Sequence, residues 1–195
     1  MEKEDILHVE GRLGELVIGN RVPKDYFVTK GTGQSDLTVH AGSYHLALKA
    51  AGVEMCNIMT YSSILPAIAT EIPRPKRLVH GSVMESIFSV CTVNKGERAT
   101  AGIIYGWLYD KKTRAKYGGL VCELYGDHSV KEIERRLHAS IEELYYNGYS
   151  DDFRLKDRRV ITESFVPKKQ YGTALAALCF LNYQVPILRV KLNAE

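Results

Sequence analysis

The most informative segment of this chain reads Asn57-Ile-Met-Thr-Tyr-Ser62-Ser63-Ile64-Leu65-Pro66, and it places two adjacent hydroxyl residues between apolar runs typical of a protein core. A serine hydroxyl can attack the carbonyl of the peptide bond that precedes it and turn the amide into an ester, provided that the backbone is strained and the oxyanion is stabilised. Adjacent serines are also common in turns, where their hydroxyls bond to local backbone groups without any chemistry. The pair therefore indicates either a self-cleaving peptide bond or an ordinary turn.

The bulk composition is that of one globular domain. The chain has 195 residues, of which 45% are hydrophobic and 25% are charged, and this is enough for one sizeable core. We therefore expect a single domain over residues 1–195, with the polar residues 1–20 as an extension ahead of the main fold. The cysteines are far apart, lack a Cys-x-x-Cys motif and have apolar neighbours, which predicts reduced, buried thiols in a cytoplasmic protein rather than a zinc site. They are Cys56, Cys91, Cys122 and Cys179.

Charge and hydropathy argue against several classes of function. The net charge is +3 and the basic residues are spread out, so nucleic-acid binding is not expected; the densest basic cluster, 111–116, is predicted to be the solvated tip of a hairpin. No apolar run approaches the roughly 18 residues that span a bilayer, and the first residues are charged, so neither a membrane span nor an export signal is predicted. The six histidines show no metal-ligand spacing, so no metal is expected.

Hydrophobic periodicity predicts sheets covered by two main helices. Apolar residues at helical spacing predict a short helix over 43–51 that ends at Gly52. A longer helix is predicted to begin at Ser129, which forms a capping box with Glu132, and to end at 147–148. Segments rich in β-branched and aromatic residues predict strands over 25–29, 53–61, 83–93, 100–109, 120–125 and 160–166.

Two stretches are harder to interpret from periodicity. Gly31-Thr-Gly33 lacks the Lys-Ser/Thr of a P-loop and the third glycine of a dinucleotide fingerprint, so we expect it to break the first strand rather than to bind phosphate. The Ala-rich run 172–183 fits neither a helix nor a strand by its periodicity alone. The interleaved strands and helices nevertheless place the chain in the α+β class.

Three features together resemble the pyruvoyl-dependent arginine decarboxylase family. In that family a pair of hydroxyl residues is followed by an aliphatic residue, a second apolar residue and proline, as in Ser62 to Pro66. An asparagine stands six residues before the second hydroxyl, as Asn57 does, and a Gly-Leu-Val-Cys-Glu-Leu-Tyr-Gly stretch over 119–126 matches the place of the family's catalytic glutamate. The resemblance covers 22–183 and implies a four-layer αββα sandwich, with a strand in the Ala-rich run and trimers that have active sites at subunit interfaces.

The resemblance also implies the chemistry. Ser63 would attack the Ser62 carbonyl, and cleavage between 62 and 63 would give a β chain, 1–62, and an α chain, 63–195, that begins with a pyruvoyl group. This self-generated cofactor would form a Schiff base with arginine and release carbon dioxide and agmatine, without a metal or pyridoxal phosphate. A decarboxylase also needs an acid that returns a proton to the substrate carbon.

Two residues are candidates for the remaining catalytic roles, and each has an ordinary alternative. Glu123 would be the proton donor, with a pKa raised by its apolar neighbours, although strand alternation alone favours a carboxylate that faces solvent. Asn57 would stabilise the oxyanion, although an asparagine at a strand end often bonds only to local backbone groups. The next carboxylates to consider are Glu71 and Glu85.

One position departs from the family pattern and leaves the substrate open. Arginine-specific members have an aspartate eighteen residues before the pyruvoyl precursor, where this chain has His45, and a histidine is no bidentate partner for a guanidinium. Asp36 or Glu54 would then supply the charge, the substrate would be another amino acid, or His45 would be a residue of the helix face. If His45 contacts the substrate, His45→Asp is expected to improve arginine turnover. An uncleaved, non-catalytic oligomeric scaffold is the alternative function.

Overall fold

The computed structural model describes residues 15–191, with side chains from residue 18 to residue 187. Its described part is an α+β structure. The helices are α1 (His45–Ala51), which follows a π-helical turn (Val39–Tyr44), and α2 (Val130–Gly148). The strands are β1 (Glu15–Ile18), β2 (Val22–Pro23), β3 (Asp25–Ser35), β4 (Asn57–Thr60), β5 (Ile64–Pro66), β6 (Thr70–Glu71), β7 (Val83–Asn94), β8 (Ala99–Asp110), β9 (Lys116–Gly126), β10 (Phe153–Phe165), β11 (Tyr171–Phe180), β12 (Tyr183–Gln184) and β13 (Ile187–Lys191).

Two sheets make up most of the fold. The five-stranded sheet has the order β4-β7-β11-β3-β6, and the four-stranded sheet has the order β10-β8-β9-β5. Two short antiparallel pairs, β1 with β13 and β2 with β12, lie outside these sheets. Both β4 and β5 are therefore edge strands, and they belong to different sheets.

The side chains of β11 show that the five-stranded sheet is covered on both faces. Successive side chains of a strand point to opposite faces. Leu175 and Cys179 accordingly pack in a buried cluster with residues of α1, whereas Leu178 and Phe180 pack with Ile103 of the four-stranded sheet. Because both faces are apolar, the Ala-rich run has no alternation of polar and apolar residues, and the strand implied by the resemblance is confirmed.

Helix α1 lies so close to β3 that only glycine fits beneath it. A Cβ added to Gly33 would lie 2.2 Å from the carbonyl oxygen of Ser43, and one added to Gly31 would lie 2.4 Å from that of Ala47. The expectation that these glycines break the strand is wrong, because β3 runs through both of them to Ser35. The predicted end of the helix is confirmed, since Gly52 takes the left-handed conformation at φ 72°.

Helix α2 covers the outer face of the four-stranded sheet. Its predicted start is confirmed, because the Ser129 hydroxyl accepts a hydrogen bond of 3.2 Å from the amide of Glu132. The Glu132 carboxylate pairs with Arg135 and Arg136 instead of completing the capping box with the amide of Ser129. The buried apolar stripe of the helix packs against β8 and β9 and consists of Ile133, Leu137 and Ile141.

Several predicted boundaries change in the structure. The strand expected over 53–61 is shortened to β4, and the strand expected over 160–166 begins earlier, at Phe153. Residues 111–115 form the exposed connection between β8 and β9, as predicted for a hairpin tip, whereas Lys116 is already the first residue of β9. Of the predicted extension 1–20, residues 1–14 lie outside the described part, and β1 pairs with β13 near the other end of the chain. No helix among residues 15–191 is both long and apolar enough to cross a membrane.

Candidate active site

The Ser62–Ser63 peptide bond lies where the chain passes from one sheet to the other. β4 ends at Thr60 on the edge of the five-stranded sheet, and β5 begins at Ile64 on the edge of the four-stranded sheet. Tyr61 anchors the start of this passage, because its amide donates a hydrogen bond of 2.8 Å to the Ser86 carbonyl. The two hydroxyl residues therefore occupy a short crossover that is fixed at both ends.

Backbone hydrogen bonds hold Ser63 on both sides. The amide of Ile64 donates to the Ser62 carbonyl at 2.9 Å, which makes a three-residue turn centred on Ser63. The amide of Val121 donates to the Ser63 carbonyl, also at 2.9 Å. Ser63 is not among the described residues with positive φ, so its φ angle shows no strain. The Ser62 carbonyl, which Ser63 would attack, already accepts a hydrogen bond from the Ile64 amide.

The Ser63 hydroxyl contacts the Glu123 carboxylate directly. It lies 3.0 Å from Oε2 and 3.2 Å from Oε1, as a donor to either oxygen. Residue 123 lies on the same face of β9 as Val121, in the layer between the two sheets, whereas Cys122 and Leu124 pack towards α2. Alternation thus places Glu123 opposite its neighbours, as expected, but the opposite face is the space between the sheets rather than open solvent.

The surroundings of Glu123 alter its acidity. Burial raises the pKa of the carboxyl above its ordinary value of 4.5, and the hydrogen bond from Ser63 opposes part of this shift. A carboxyl with a raised pKa holds a proton more readily than an exposed one, and its ionised form is a stronger base. Glu123 can therefore exchange a proton with the hydroxyl beside it.

The structure does not bring Asn57 to this pair within one protomer. Asn57 begins β4, whereas Ser63 follows the end of that strand. The Asn57 side chain is exposed, and its Nδ2 donates to the carbonyl of Gly81 at 3.0 Å. Within a single chain, Asn57 thus bonds to backbone, which is the ordinary alternative to a catalytic role.

The residues considered for the substrate side chain are also separated from Ser63. His45 is exposed at the start of α1, beside a surface cavity that His40 and Tyr44 also line. Asp36 accepts a hydrogen bond of 3.2 Å from the amide of Gln170 and lies 3.6 Å from the ammonium group of Lys169. In one protomer His45 makes no described contact with Ser63, and Asp36 follows the end of β3 that is remote from the crossover.

Glu71 and Glu85, the two further carboxylates, are each held by an arginine. Glu71 accepts a hydrogen bond of 2.6 Å from the Tyr105 hydroxyl and pairs with Arg159. Glu85 is buried between the sheets and pairs with Arg21. Among the described residues, no group of three or more His, Cys, Asp or Glu side chains is arranged to hold a metal ion.

Sequence reasoning missed two parts of this site. The Ile64 amide is a backbone group, so no side-chain pattern could indicate its bond to the Ser62 carbonyl. The pairing of Arg21 with Glu85 joins residues 64 positions apart and has no local signal. Only the charge of Glu85 inside an apolar strand, 83–93, indicated that this residue needed a partner.

The groups at the crossover fit a pyruvoyl group made from Ser63. Such a group needs a nucleophilic hydroxyl, a proton acceptor and a donor to the attacked carbonyl. Ser63, Glu123 and the Ile64 amide supply these three elements within hydrogen-bonding distance. The site therefore has the groups that a serine needs to attack the carbonyl of its own preceding peptide bond.

Comparison with known proteins identifies the family. The family model of pyruvoyl-dependent arginine decarboxylase (PvlArgDC) matches residues 25–185. The pyruvoyl-dependent arginine decarboxylase of Methanopyrus kandleri is 30% identical over 161 residues, which cover 82% of this chain and 97% of that protein. The protein of the same name from Thermoplasma volcanium is 25% identical over 156 residues, covering 72% and 83% of the two chains. That from Methanococcoides burtonii is 36% identical over 89 residues, covering 43% and 47%. The chain belongs to the pyruvoyl-dependent arginine decarboxylase family.

Proposed function

We propose that this chain is a precursor that cleaves itself between residues 62 and 63, and that the mature protein decarboxylates arginine to agmatine and carbon dioxide. The observation that carries the proposal is the contact between the Ser63 hydroxyl and the Glu123 carboxylate, 60 residues apart in sequence. The family match over 25–185 includes both residues.

The maturation begins with attack of Ser63 Oγ on the carbonyl carbon of Ser62. The C–N bond breaks as the C–O bond forms, so the chain is joined through an ester and the Ser63 nitrogen becomes an amine. Loss of the α proton and elimination of the ester then release the carboxylate of Ser62 and leave a dehydroalanine at position 63. Its imine tautomer is hydrolysed by water, which releases ammonia and leaves a ketone at the start of the chain 63–195.

Glu123 accepts the hydroxyl proton in the first of these steps. The carboxylate is placed for this by its two contacts with Ser63 Oγ, and burial raises its pKa so that the ionised form is the stronger base. The Ile64 amide, already bound to the Ser62 carbonyl at 2.9 Å, stabilises the negative charge that develops on that oxygen. The chain thus supplies both the base and a donor for the oxyanion.

The pyruvoyl group supplies the electron-withdrawing carbonyl that a decarboxylation requires, the role that pyridoxal phosphate has in other enzymes. This chain's residues would do the rest. Glu123, protonated more readily than an exposed carboxyl, returns a proton to the α carbon of the substrate. The buried side chains of Leu65 and Val121 place an apolar region beside position 63.

The assembly and layer order are part of the same proposal. Three of the buried clusters lie under α1, between the sheets and under α2, which supports the order αββα. We propose a homo-oligomer, most simply a trimer, in which the exposed Asn57 of one copy serves the site of a neighbouring copy as an oxyanion donor. The exposed edge position of Asn57 supports this role, since it does not reach Ser63 in its own chain. A cytoplasmic location stays a prediction from the sequence.

Arginine is the substrate that the family match favours. Because His45 stands in place of the expected aspartate, decarboxylation of another α-amino acid is a second candidate function. A panel of amino acids with detection of the amine product separates the two.

Mass spectrometry of the purified chain tests the proposal. The expected result is two fragments, 1–62 and 63–195, with the larger one blocked by a ketone at its start, and agmatine formed from arginine. Ser63→Ala is expected to give one intact chain and no activity. A wild-type chain that decarboxylates arginine while remaining intact, or that stays intact and inactive as a scaffold, would contradict the proposal.

A further inference from the structure

Glu85 is a buried carboxylate with an incomplete set of hydrogen bonds. Its side chain is 3% exposed, on the face of β7 that lies between the two sheets. Oε1 accepts from the guanidinium of Arg21, whereas Oε2 is buried and accepts a hydrogen bond from none of the described residues. Buried carboxylates are costly unless they are fully hydrogen-bonded, so this second oxygen calls for a further donor.

The group that pairs with the Glu85 carboxylate is the guanidinium of Arg21. Arg21 precedes β2, and its side chain is 56% exposed, so it enters the site from the surface. Its guanidinium carbon lies 5.1 Å from the centre of the Tyr183 ring, and the Tyr183 hydroxyl is also buried without a partner among the described residues. A carboxylate beside an aromatic face is the environment that guanidinium groups prefer in proteins.

The Glu85 carboxylate lies close to the cleavage site. In the parallel pairing of β4 with β7, residue 85 stands opposite Met59, and the next residue, Ser86, accepts the hydrogen bond from the Tyr61 amide. Tyr61 directly precedes Ser62, and Tyr61 and Tyr183 both pack against the buried cluster between the sheets. Glu85 is therefore within two or three residues of the crossover, measured along the hydrogen-bonded strands.

Glu85 and the catalytic pair border the same buried cluster between the two sheets. Ile87 follows two residues later on the same face of β7 and shares a buried cluster with Val121. The Val121 amide binds the Ser63 carbonyl, and Glu123 lies on the same face of β9. The Glu85 carboxylate and the Ser63–Glu123 pair therefore face the same layer of the fold, on neighbouring strands of the two sheets.

We infer that Glu85 forms the subsite for the guanidinium of the substrate, and that Arg21 occupies this subsite as an internal competitor when substrate is absent. The inference rests on the proposed function for the reaction, but not for the binding itself. The free Oε2 allows a bound guanidinium to use both carboxylate oxygens, which the single contact of Arg21 does not. Glu85 also supplies the carboxylate that His45 cannot offer.

Agmatine, which carries the guanidinium but needs no ketone, is the probe for this subsite. Its affinity for the full-length Ser63→Ala chain is measured by calorimetry with the native residues, with Arg21→Met and with Glu85→Gln. Removal of the competitor in Arg21→Met is expected to tighten binding by on the order of tenfold. Glu85→Gln is expected to weaken binding by at least about tenfold, because a charged bidentate acceptor is lost. A diaminopentane of similar length, which lacks the guanidinium, is expected to gain much less from Arg21→Met.

A second ion pair gives the matched control. Arg158 and Glu142 form an exposed pair at 2.7 Å between β10 and α2, so Arg158→Met and Glu142→Gln are expected to leave agmatine binding unchanged. Equal agmatine affinity in the parent chain, Arg21→Met and Glu85→Gln would overturn the inference, as would weaker binding in Arg21→Met. If Glu85→Gln does not fold, Arg21→Met alone decides.

Kinetics of the cleaved enzyme separate this inference from the proposed function. The KM for arginine is expected to fall in Arg21→Met and to rise in Glu85→Gln, with kcat changed less than KM. A wild-type chain that does not cleave or does not release agmatine contradicts the proposed function, while the agmatine titration still decides whether Glu85 binds a guanidinium. Cleavage with agmatine release, but with KM unchanged in both variants, contradicts the subsite alone.

Discussion

The hydroxyl of Ser89 donates a hydrogen bond of 2.8 Å to the carbonyl of Leu124, and this bond joins the two sheets one residue beyond Glu123. The same hydroxyl accepts a bond of 3.3 Å from the amide of Gly102, so one buried side chain connects β7, β8 and β9. This connection adds to the bond from the Val121 amide to the Ser63 carbonyl in holding β9, and with it the Glu123 carboxylate, beside the crossover.

Ser89→Ala is expected to lower the free energy of unfolding by about 1–3 kcal/mol, because it leaves buried backbone groups without their partner. Urea denaturation of the uncleaved Ser63→Ala chain measures the change. Ser150→Ala is the control, since among the described residues the Ser150 hydroxyl makes a single bond of 3.4 Å, to the Tyr146 carbonyl at the end of α2. Equal stability of the two variants would show that the connection between the sheets contributes nothing.

Gly33→Ala is expected to cost about 3 kcal/mol or more, because the new Cβ would overlap backbone atoms of Ser43 and Ala47 that cannot move without displacing α1. The same denaturation experiment measures the loss. Gly148→Ala has no neighbour within 4 Å of the new Cβ and lies at the end of α2, so it is expected to be neutral or stabilising by up to about 1 kcal/mol. A stable, fully helical Gly33→Ala chain would contradict the close packing of α1 on β3.

Elements with strong local signals could be predicted from the sequence. Helix α2 is specified by a cap at Ser129 and a regular apolar stripe, both of which act within a few residues. The glycines 31 and 33 were interpreted wrongly because glycine usually ends a strand, whereas here it admits a helix that is distant in sequence. Strand β11 has no alternation because both of its faces are buried, so only resemblance indicated its conformation.

The candidate site was predictable only where resemblance supplied the spacing. Ser63 and Glu123 are 60 residues apart, and no local rule joins them. Alternation correctly separated Glu123 from Cys122 and Leu124, but the sequence does not show that both faces of β9 are covered. The roles of Ser63, Glu123 and His45 stay predictions that variants at these positions test, and the role of Asn57 also stays a prediction.

Glu123→Gln is expected to slow self-cleavage by about 10²–10⁴-fold, the usual contribution of a general base, while Ser63→Ala abolishes it because the nucleophile is lost. The fraction of cleaved chain is followed by gel electrophoresis over time. Ser62→Ala is the control, because it retains the attacked carbonyl and the Ser63 hydroxyl, and we expect it to cleave. Cleavage of Glu123→Gln at the wild-type rate would remove the glutamate from the maturation step.

The raised pKa of Glu123 predicts how stability depends on pH. Below its ordinary pKa of 4.5 the carboxyl is protonated in both the folded and the unfolded chain, so Glu123→Gln should have little effect there. As pH rises above that value the unfolded chain loses the proton first, and the folded chain with Glu123 becomes less stable relative to Glu123→Gln until the raised pKa is passed. Denaturation of both chains in the Ser63→Ala background, from acidic to neutral pH, measures this difference. A difference that is constant with pH would contradict the shift.

The ion pair of Glu71 with Arg159 fixes the segment that would begin the mature α chain. Residues 64–71 run from β5 to β6, and Glu71 is held at their far end by Arg159 and by the Tyr105 hydroxyl. After cleavage this segment loses its connection to Ser62, so its position depends on β5 and on Glu71.

Arg159→Met is therefore expected to increase hydrogen exchange over 64–71 in the cleaved protein and to lower kcat by on the order of tenfold, because small displacements of a reacting group are costly. Arg158→Met is the matched control, since the neighbouring Arg158 pairs with Glu142 on α2 and does not contact this segment. Mass spectrometry of exchanged peptides, together with the rate of agmatine release, measures both effects. If exchange rises while kcat is unchanged, Glu71 and Arg159 stabilise the segment without positioning residue 63.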